Sequence, residues 1–442
     1  MNSIPLMLTQ ALAHIDEFAA WTTPLDAGVK TLEQPCAAPR PHILFLIDQL
    51  CVPGGGERVL LNMVRLLPED RFRCSLATIK LDSSVALFRQ IPCPVHLLPL
   101  RRTYGWSGLQ AALKLREIIR SQDVKIVHTF FETSDIWGGL VAKLSGCPVL
   151  ISSRRDMGIL RSGKHRVAYR VMAPLFDRVL TVSDEVRNFC VQEDRLDPRK
   201  VVTVYSGIDL DRIQTSNGSG TLRPDLGLAP SWVPLLTKEE SGEVRATHRV
   251  TAVGHIRRVK GFDTFIRAAA IVRREFPTAE FLIIGRAHPN EPEYLPELQE
   301  LARSLGLSDA VRFPGASKNV VPVLQMSDVY CMPSRSEGFS NALVEAMACS
   351  LPCVATRVGG NAEAVEDTVS GFLVPPEDPE SMADRIMRLL RRPEEARRMG
   401  EAGRRRVVEK FTVQAMMANL VAIYDGLLSA ASRRSAAGWA RS

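Results

Sequence analysis

The feature that most constrains this chain is a twice-repeated alternation of short apolar runs with amphipathic helical patterns. His42 to Ile47 reads as a nearly continuous apolar run, which predicts a strand covered on both faces of a parallel sheet. Gly54, Gly55 and Gly56 follow, and Glu57 to Leu67 places Val59, Leu60, Met63, Val64 and Leu67 on one helical face. Strand patterns recur at Cys74 to Ile79, Lys125 to His128, Val149 to Ser152, Arg178 to Val182 and Val201 to Tyr205, with helical patterns between them. Residues 215–247 are rich in Ser, Gly, Pro and charge and read as a linker. A second alternating set begins at Arg249. The expectation is an α/β chain with two doubly wound parallel sheets. Its organisation is an extension at 1–40, a Rossmann-like domain at 41–210, a linker at 211–247 and a second Rossmann-like domain at 248–411.

With 442 residues and 45% hydrophobic content, two or three cores can be filled, which excludes a disordered or fibrous chain. The net charge of +7 is concentrated at the front, where residues 1–210 hold 26 Lys/Arg against 21 Asp/Glu and the remainder holds 30 against 28. That balance suits anionic small molecules or an anionic membrane surface, and equally a slightly basic soluble protein. Nine cysteines without a C-x-x-C pair argue against a disulfide framework or zinc site, and Cys349 and Cys353 read as core thiols. No secretory leader pattern and no uninterrupted run of eighteen apolar residues is visible. The expected location is the cytoplasm, peripheral at the inner face of the membrane.

Chemistry is concentrated in Ser336 to Ala346, read S-E-G-F-S-N-A-L-V-E-A. Val329 to Met332 predicts a strand, Ser334 to Ser340 its loop, and Asn341 to Cys349 a helix opened by Ser340 or Asn341. The exposed N–H groups and dipole of that helix start favour a phosphate. Glu337 and Glu345 would lie on the order of 12 Å apart, at about 1.5 Å per residue. Glycosidase carboxylates need roughly 5 to 9.5 Å. The wider spacing suits a grip on a sugar and a ribose at either end of a diphosphate.

Two motifs are decoys. The triple glycine is not G-x-G-x-x-G, since position 59 is Val59, and Lys80 stands where a dinucleotide fold carries its acidic ribose partner. Those glycines can bring a backbone close to an anion, and a tight turn alone would also explain them. G-I-L-R-S-G-K-H at Gly158 to His165 lacks the Ser/Thr of a P-loop, but it sits in a basic cluster from Arg154 to Arg170 that could meet anionic lipid or a phosphorylated acceptor, and that a solvated loop explains equally well. In the second set, G-H-I-R-R-V-K-G puts Arg257, Arg258 and Lys260 in a loop at the carboxyl edge of the sheet, where cations can neutralise a leaving diphosphate. His128 ends its strand at the corresponding edge of the first sheet and is a candidate catalytic residue there, although a lone histidine is more often structural.

These motifs together resemble family 4 of the retaining glycosyltransferases, which have the GT-B fold. The resemblance is carried by G-G-G-E at Gly54 to Glu57, V-K-G at Val259 to Gly261, E-G-F-S-N-A-L-V-E-A at Glu337 to Ala346 and L-P-C-V-A-T-R-V-G-G at Leu351 to Gly360. It implies two facing Rossmann-like domains and a C-terminal helix, at about 412–430, crossing back onto the first. It implies that Glu345 holds ribose hydroxyls, that Glu337 contacts the donor sugar, and that Lys260 and the backbone of Gly338, Phe339, Ser340 and Asn341 hold the diphosphate, with Gly54, Gly55 and Gly56 approaching from across the cleft. The arginine usual in the family is replaced by His255, with Arg257 as substitute, and a second histidine usual two places beyond His128 is Phe130. The implied activity is retaining transfer of a hexose from a nucleotide-diphosphate sugar to a lipid-linked or saccharide acceptor, with no metal or other cofactor required and no nucleic-acid partner. The rivals are a nucleotide-sugar epimerase of the same fold, which would act on the donor without an acceptor, and a polyanion-binding protein, which would bind without nucleotide affinity.

Overall fold

The computed structural model describes residues 40–439 apart from 52–53, 90, 159–162, 215–247 and 318. The extension at 1–40 (save its last residue), most of the linker and the middle of the Gly158 to His165 motif lie outside the described residues. Two parallel sheets are formed. The first contains β1 (His42–Leu50), β2 (Arg73–Leu81), β3 (Val95–Leu97), β4 (Val124–Phe130), β5 (Val149–Arg154), β6 (Arg178–Thr181) and β7 (Val201–Thr203), in the order β3-β2-β1-β4-β5-β6-β7. The second contains β8 (Arg249–Val253), β9 (Glu280–Ile284), β10 (Val311–Gly315), β11 (Val329–Met332), β12 (Cys353–Thr356) and β13 (Phe372–Val374), in the order β10-β9-β8-β11-β12-β13.

The apolar runs become central strands because helices cover both faces. Ile43, Leu44, Phe45, Leu46 and Ile47 are all fully buried, alternate residues going to the two core clusters on either side of the first sheet. Burying each such side chain is worth about 1.5–3 kcal/mol. Each sheet reverses its winding once, between β1 and β4 in the first and between β8 and β11 in the second. At such switch points the loops leaving the carboxyl ends diverge and leave a crevice. The loops so placed are those containing Gly54–Gly56, Phe131–Thr133, His255–Lys260 and Ser334–Ser340.

Three details depart from the expected pattern. Strand β3 and the short helix Ala86–Arg89 are too brief to show a period in sequence. The helix expected from Ile136 opens instead with a π turn, Ser134–Gly138, whose entry is pinned by Asp48 at the end of β1. The Asp48 carboxylate accepts from the Thr133 and Ser134 amides (3.1 and 2.7 Å) and from the Ser134 hydroxyl (2.6 Å). Third, the last helix runs from Val413 to Trp439, well beyond the expected end. That helix does pack on the first domain: Met416, Met417, Leu420, Tyr424 and Leu427 join the core beside the Gly55–Leu66 helix. It is long and apolar enough to cross a membrane by composition, but its buried stripe is committed to this core.

Candidate functional site

The crevice of the second sheet is built from two loops. In one, the turn Arg258–Lys260 ends at Gly261, whose φ of +63° and proximity to the Pro333 carbonyl (2.1 Å from any added Cβ) both demand glycine. This fixes Lys260 beside the other loop. The Lys260 ammonium donates to Glu337 Oε1 at 2.6 Å, and the Ser334 hydroxyl donates to the same oxygen at 2.6 Å. Glu337 is 8% exposed and the Lys260 side chain 23%, so the pair is partly shielded from water and its charge interaction is stronger than at an open surface. Gly359, with φ +48°, lies against the Glu337 carbonyl, and the Gly360 amide donates to the Gly338 carbonyl at 3.0 Å, so V-G-G braces the loop from behind.

The helix after this loop is Asn341–Ala348. Ser340 is its N-cap and its hydroxyl accepts from the Leu343 amide at 3.3 Å, so that side chain is engaged in capping while the first-turn amides face outward. Asn341 Oδ1 is buried without a hydrogen-bond partner among the described residues. Its Nδ2 lies 3.4 Å from where a Cβ on Gly55 would stand, which places the first-domain glycines directly opposite the helix start. Glu345 is half-buried one turn further on. Burial raises its pKa, opposed by the positive charges of Arg58 in the first domain and Arg212 just after it.

Phe339 has another role. Its ring is 9% exposed and packs against Tyr205 and Phe411 (centroids 5.4 and 5.2 Å), so the side chain belongs to the seam between the domains and only its backbone is left for an anion. Gly338 is in the same seam, with the Arg155 carbonyl 2.1 Å from any added Cβ. Glu363 closes the far end: its carboxylate accepts from the amides of Asp184 and Glu185 (2.7 and 2.9 Å) and from the Tyr205 hydroxyl (3.0 Å). A second-domain carboxylate thus caps a first-domain helix, Asp184–Glu193, where the helix dipole favours negative charge.

On the first-domain side, Gly54 donates its amide to Glu57 at 3.1 Å, and the tip of the Phe131 ring packs on Gly56, 2.7 Å from where a Cβ would stand. Phe131 itself has φ +71°, a genuine outlier for a bulky residue, at the edge where the crevice lies. Burial lowers the Arg155 pKa to about 10, against the pull of Glu57 and Asp156, while its guanidinium donates to Ser206 at 2.7 Å. In the sequence Arg155 reads only as part of a basic cluster, and neither Ser334 nor Glu363, three places beyond Gly360, carries a local signal of the contact it makes.

Three expectations need correction. His128 does not face the crevice. It is fully buried, its ring nitrogens bonded to the Tyr424 hydroxyl (2.7 Å) and Ser153 Oγ (2.8 Å), and burial and then the nearby Arg155 charge hold its pKa down to about 3. Arg154, the first residue of the basic cluster, is a core residue stacked 3.6 Å over Tyr169 and 3.4 Å from Asp135. Arg257 and Arg258 are both turned to other partners, Glu291 (3.2 Å) and Glu297 (2.5 Å) respectively, which leaves Lys260 as the cation at Glu337.

Known proteins fit this geometry. The family model "Glycosyl transferases group 1" matches residues 237–406 and "Glycosyltransferase Family 4" matches residues 53–212. The N-acetyl-alpha-D-glucosaminyl L-malate synthase of Bacillus anthracis is 31% identical over 74% of this chain and 81% of its own length. The chain belongs to glycosyltransferase family 4. Other relatives of this family 4 glycosyltransferase include a D-inositol 3-phosphate glycosyltransferase of Saccharomonospora viridis, 32% identical over 58% of the chain but only 56% of that protein's length. The UDP-Gal:alpha-D-GlcNAc-diphosphoundecaprenol alpha-1,3-galactosyltransferase of Escherichia coli is 24% identical over 76% of the chain and 84% of its own length. Among solved structures, Anabaena Alr3699/HepE in complex with UDP-glucose superposes with a TM-score of 0.71 at 21% identity, over 87% of this chain and 99% of that one. The fold is GT-B.

Proposed function

We propose that this protein moves a hexose from a nucleotide-diphosphate sugar to an acceptor hydroxyl with retention of anomeric configuration. The observation that carries the reading is the partly buried Lys260–Glu337 pair set beside the N-terminus of Asn341–Ala348 in the switch-point crevice. The nucleotide complex of the HepE neighbour supports a donor of this class, and the diphosphoundecaprenol acceptor named for the E. coli relative supports a lipid-linked saccharide acceptor. The place of action is the cytoplasmic face of a membrane.

In the reaction, the bond from the sugar's anomeric carbon to the diphosphate oxygen breaks and one to the acceptor oxygen forms on the same face. The acceptor proton passes to the departing phosphate. Negative charge grows on the diphosphate, so a fixed ammonium and helix N–H groups there stabilise the transition state more than the ground state. Glu337 holds Lys260 in place before the donor arrives and then offers its second oxygen to sugar hydroxyls. Glu345, at the other end, takes the ribose.

Lys260→Ala should lower turnover by about a hundredfold or more, while Glu345→Ala should weaken nucleotide binding by about tenfold with a smaller effect on turnover. Steady-state kinetics and calorimetric titration across a panel of nucleotide sugars measure both. Normal behaviour of both variants with every donor would dismiss the site, and an inverted anomeric carbon in the product's NMR spectrum would dismiss retention.

A further inference from the structure

The first domain carries an exposed surface that the transfer reaction does not use. Its sheet is covered on one side by the Gly55–Leu66 helix and the C-terminal Val413–Trp439 helix. The other side is covered by the helices Gly105–Ser121, Gly139–Leu144 and Gly163–Met172, and beyond them by Asp184–Glu193, whose inner faces fill a common core. Each of the first three helices turns an i, i+4 aliphatic pair outward: Leu109 and Leu113 (49% and 57% exposed), Leu140 and Leu144 (44% and 71%), Val167 and Val171 (61% and 69%). Tyr104 and Trp106, at the entry to the first of them, are 70% and 72% exposed. Together these make 8 of the 13 large hydrophobic residues exposed among the described residues. Scattered exposed leucines need no explanation, but a concentration on one helix layer does.

The charge on these three helices is basic, although Lys143 is paired with Asp177 (2.6 Å) and the adjoining Asp184–Glu193 helix holds Asp184, Glu185 and Glu193 against Arg187. The stretches Arg101–Ser121, Gly139–Leu144 and Gly163–Met172 hold nine Lys/Arg against the single Glu117. Arg101 and Arg102 precede Trp106, and Lys164, Arg166 and Arg170 flank Val167 and Val171, all of them exposed. Apolar side chains with interfacial Trp and Tyr in a field of cations match an anionic bilayer, in which the apolar groups enter the acyl boundary and the cations meet phosphate headgroups. A second copy of the chain would instead bring these cations against their own kind.

We propose that the outer face of this helix layer docks the protein onto an anionic lipid surface. The surface is separate from the Lys260–Glu337 site, so the proposal stands or falls apart from the transferase reading. It also gives Lys164, Arg166 and Arg170 of the basic cluster a role.

The test is co-sedimentation of the full chain with vesicles of phosphatidylcholine alone and of phosphatidylcholine with one third phosphatidylglycerol. Binding is expected with the anionic vesicles only, weakening as salt rises. The variants Trp106→Ser/Leu113→Ser, Leu144→Ser/Val171→Ser and Lys164→Glu/Arg166→Glu should each lower the partition coefficient by about tenfold. Their circular dichroism and melting temperature should match the parent, since every altered residue is exposed. The proposal is overturned if the parent protein stays in the supernatant, or if the variants bind as well as it does. It is also overturned if lipid-free sedimentation velocity shows a dimer that Leu144→Ser/Val171→Ser dissociates, because a second copy would then be the occupant.

Discussion

Single residues at this site divide according to what surrounds them. Lys260 and Glu337 were legible as chemistry because their loops fall at strand ends, although nothing in the spacing showed that they touch. His128 had the same address, a strand end at the carboxyl edge, and the structure places it in the core. The difference is a matter of neighbours from far along the chain: Tyr424 and Ser153 satisfy both nitrogens of the ring. Its pKa of about 3 in the folded protein lies below the ordinary value of 6.5, so the native state binds fewer protons than the unfolded chain. The stability this contributes is complete above the ordinary value and is lost as pH falls toward the folded one. Between pH 7 and pH 5 the loss is about 2 kcal/mol. Asp48 and Glu57, whose pKa values burial raises, act in the opposite sense. Urea unfolding at both pH values in the parent and in His128→Gln isolates the histidine, since the carboxyl contributions are common to both. The acid-side slope should be shallower in the variant; equal slopes would mean that the imidazole titrates normally.

At the scale of elements, the strand, loop and helix from Val329 to Ala348 were readable from end to end, because a four-residue apolar run, a glycine-bearing loop and an N-cap serine each dictate local structure. What the loop rests on was not readable. Gly338 looks like a donor-binding glycine, and the structure gives it a second demand, with the Arg155 carbonyl of the other domain where a Cβ would be. Gly338→Ala should therefore part the domains by a few tenths of an ångström to about an ångström. Turnover should fall by about tenfold to a hundredfold, with nucleotide affinity reduced far less, as expected when positioning rather than binding is lost. Pre-steady-state kinetics and nucleotide titration separate the two. The π turn after β4, held by Asp48, and the left-handed Phe131, whose ring tip rests on Gly56, belong to the same class: each meets a neighbouring segment, and neither has a local sequence signal.

At the scale of the molecule, the two sheets are joined by a short seam and one long helix. Backbone bonds from Ile208 to Phe411 (2.9 Å) and from Val413 to Ile208 (3.0 Å) carry the chain back to the first domain. Tyr424 then reaches His128, 296 residues away in sequence, in the middle of the first core. Tyr424→Phe keeps the packing but leaves a buried imidazole nitrogen unpaired, and should cost about 1–3 kcal/mol, read as a lower urea midpoint for the transition that reports the first domain. An unchanged midpoint would show that the crossing helix is held by its apolar stripe alone.

The alternation of apolar runs and amphipathic helices determined the two parallel sheets, and the turn and cap residues determined where their loops open, because strand and helix periods and capping are local properties written within a few residues. The same locality made Lys260, Glu337 and the Asn341 helix start visible as an anion site. Only the tertiary structure decided which charged groups are available to it. Burial and partners brought from distant segments withdrew His128, Arg154, Arg257 and Arg258, engaged Phe339 and Glu363 in the seam, and left the helix layer of the first domain with an apolar, basic face that no stretch of sequence displays by itself. Desolvation and long-range pairing depend on the whole packing of the chain, and they set what each of these side chains does.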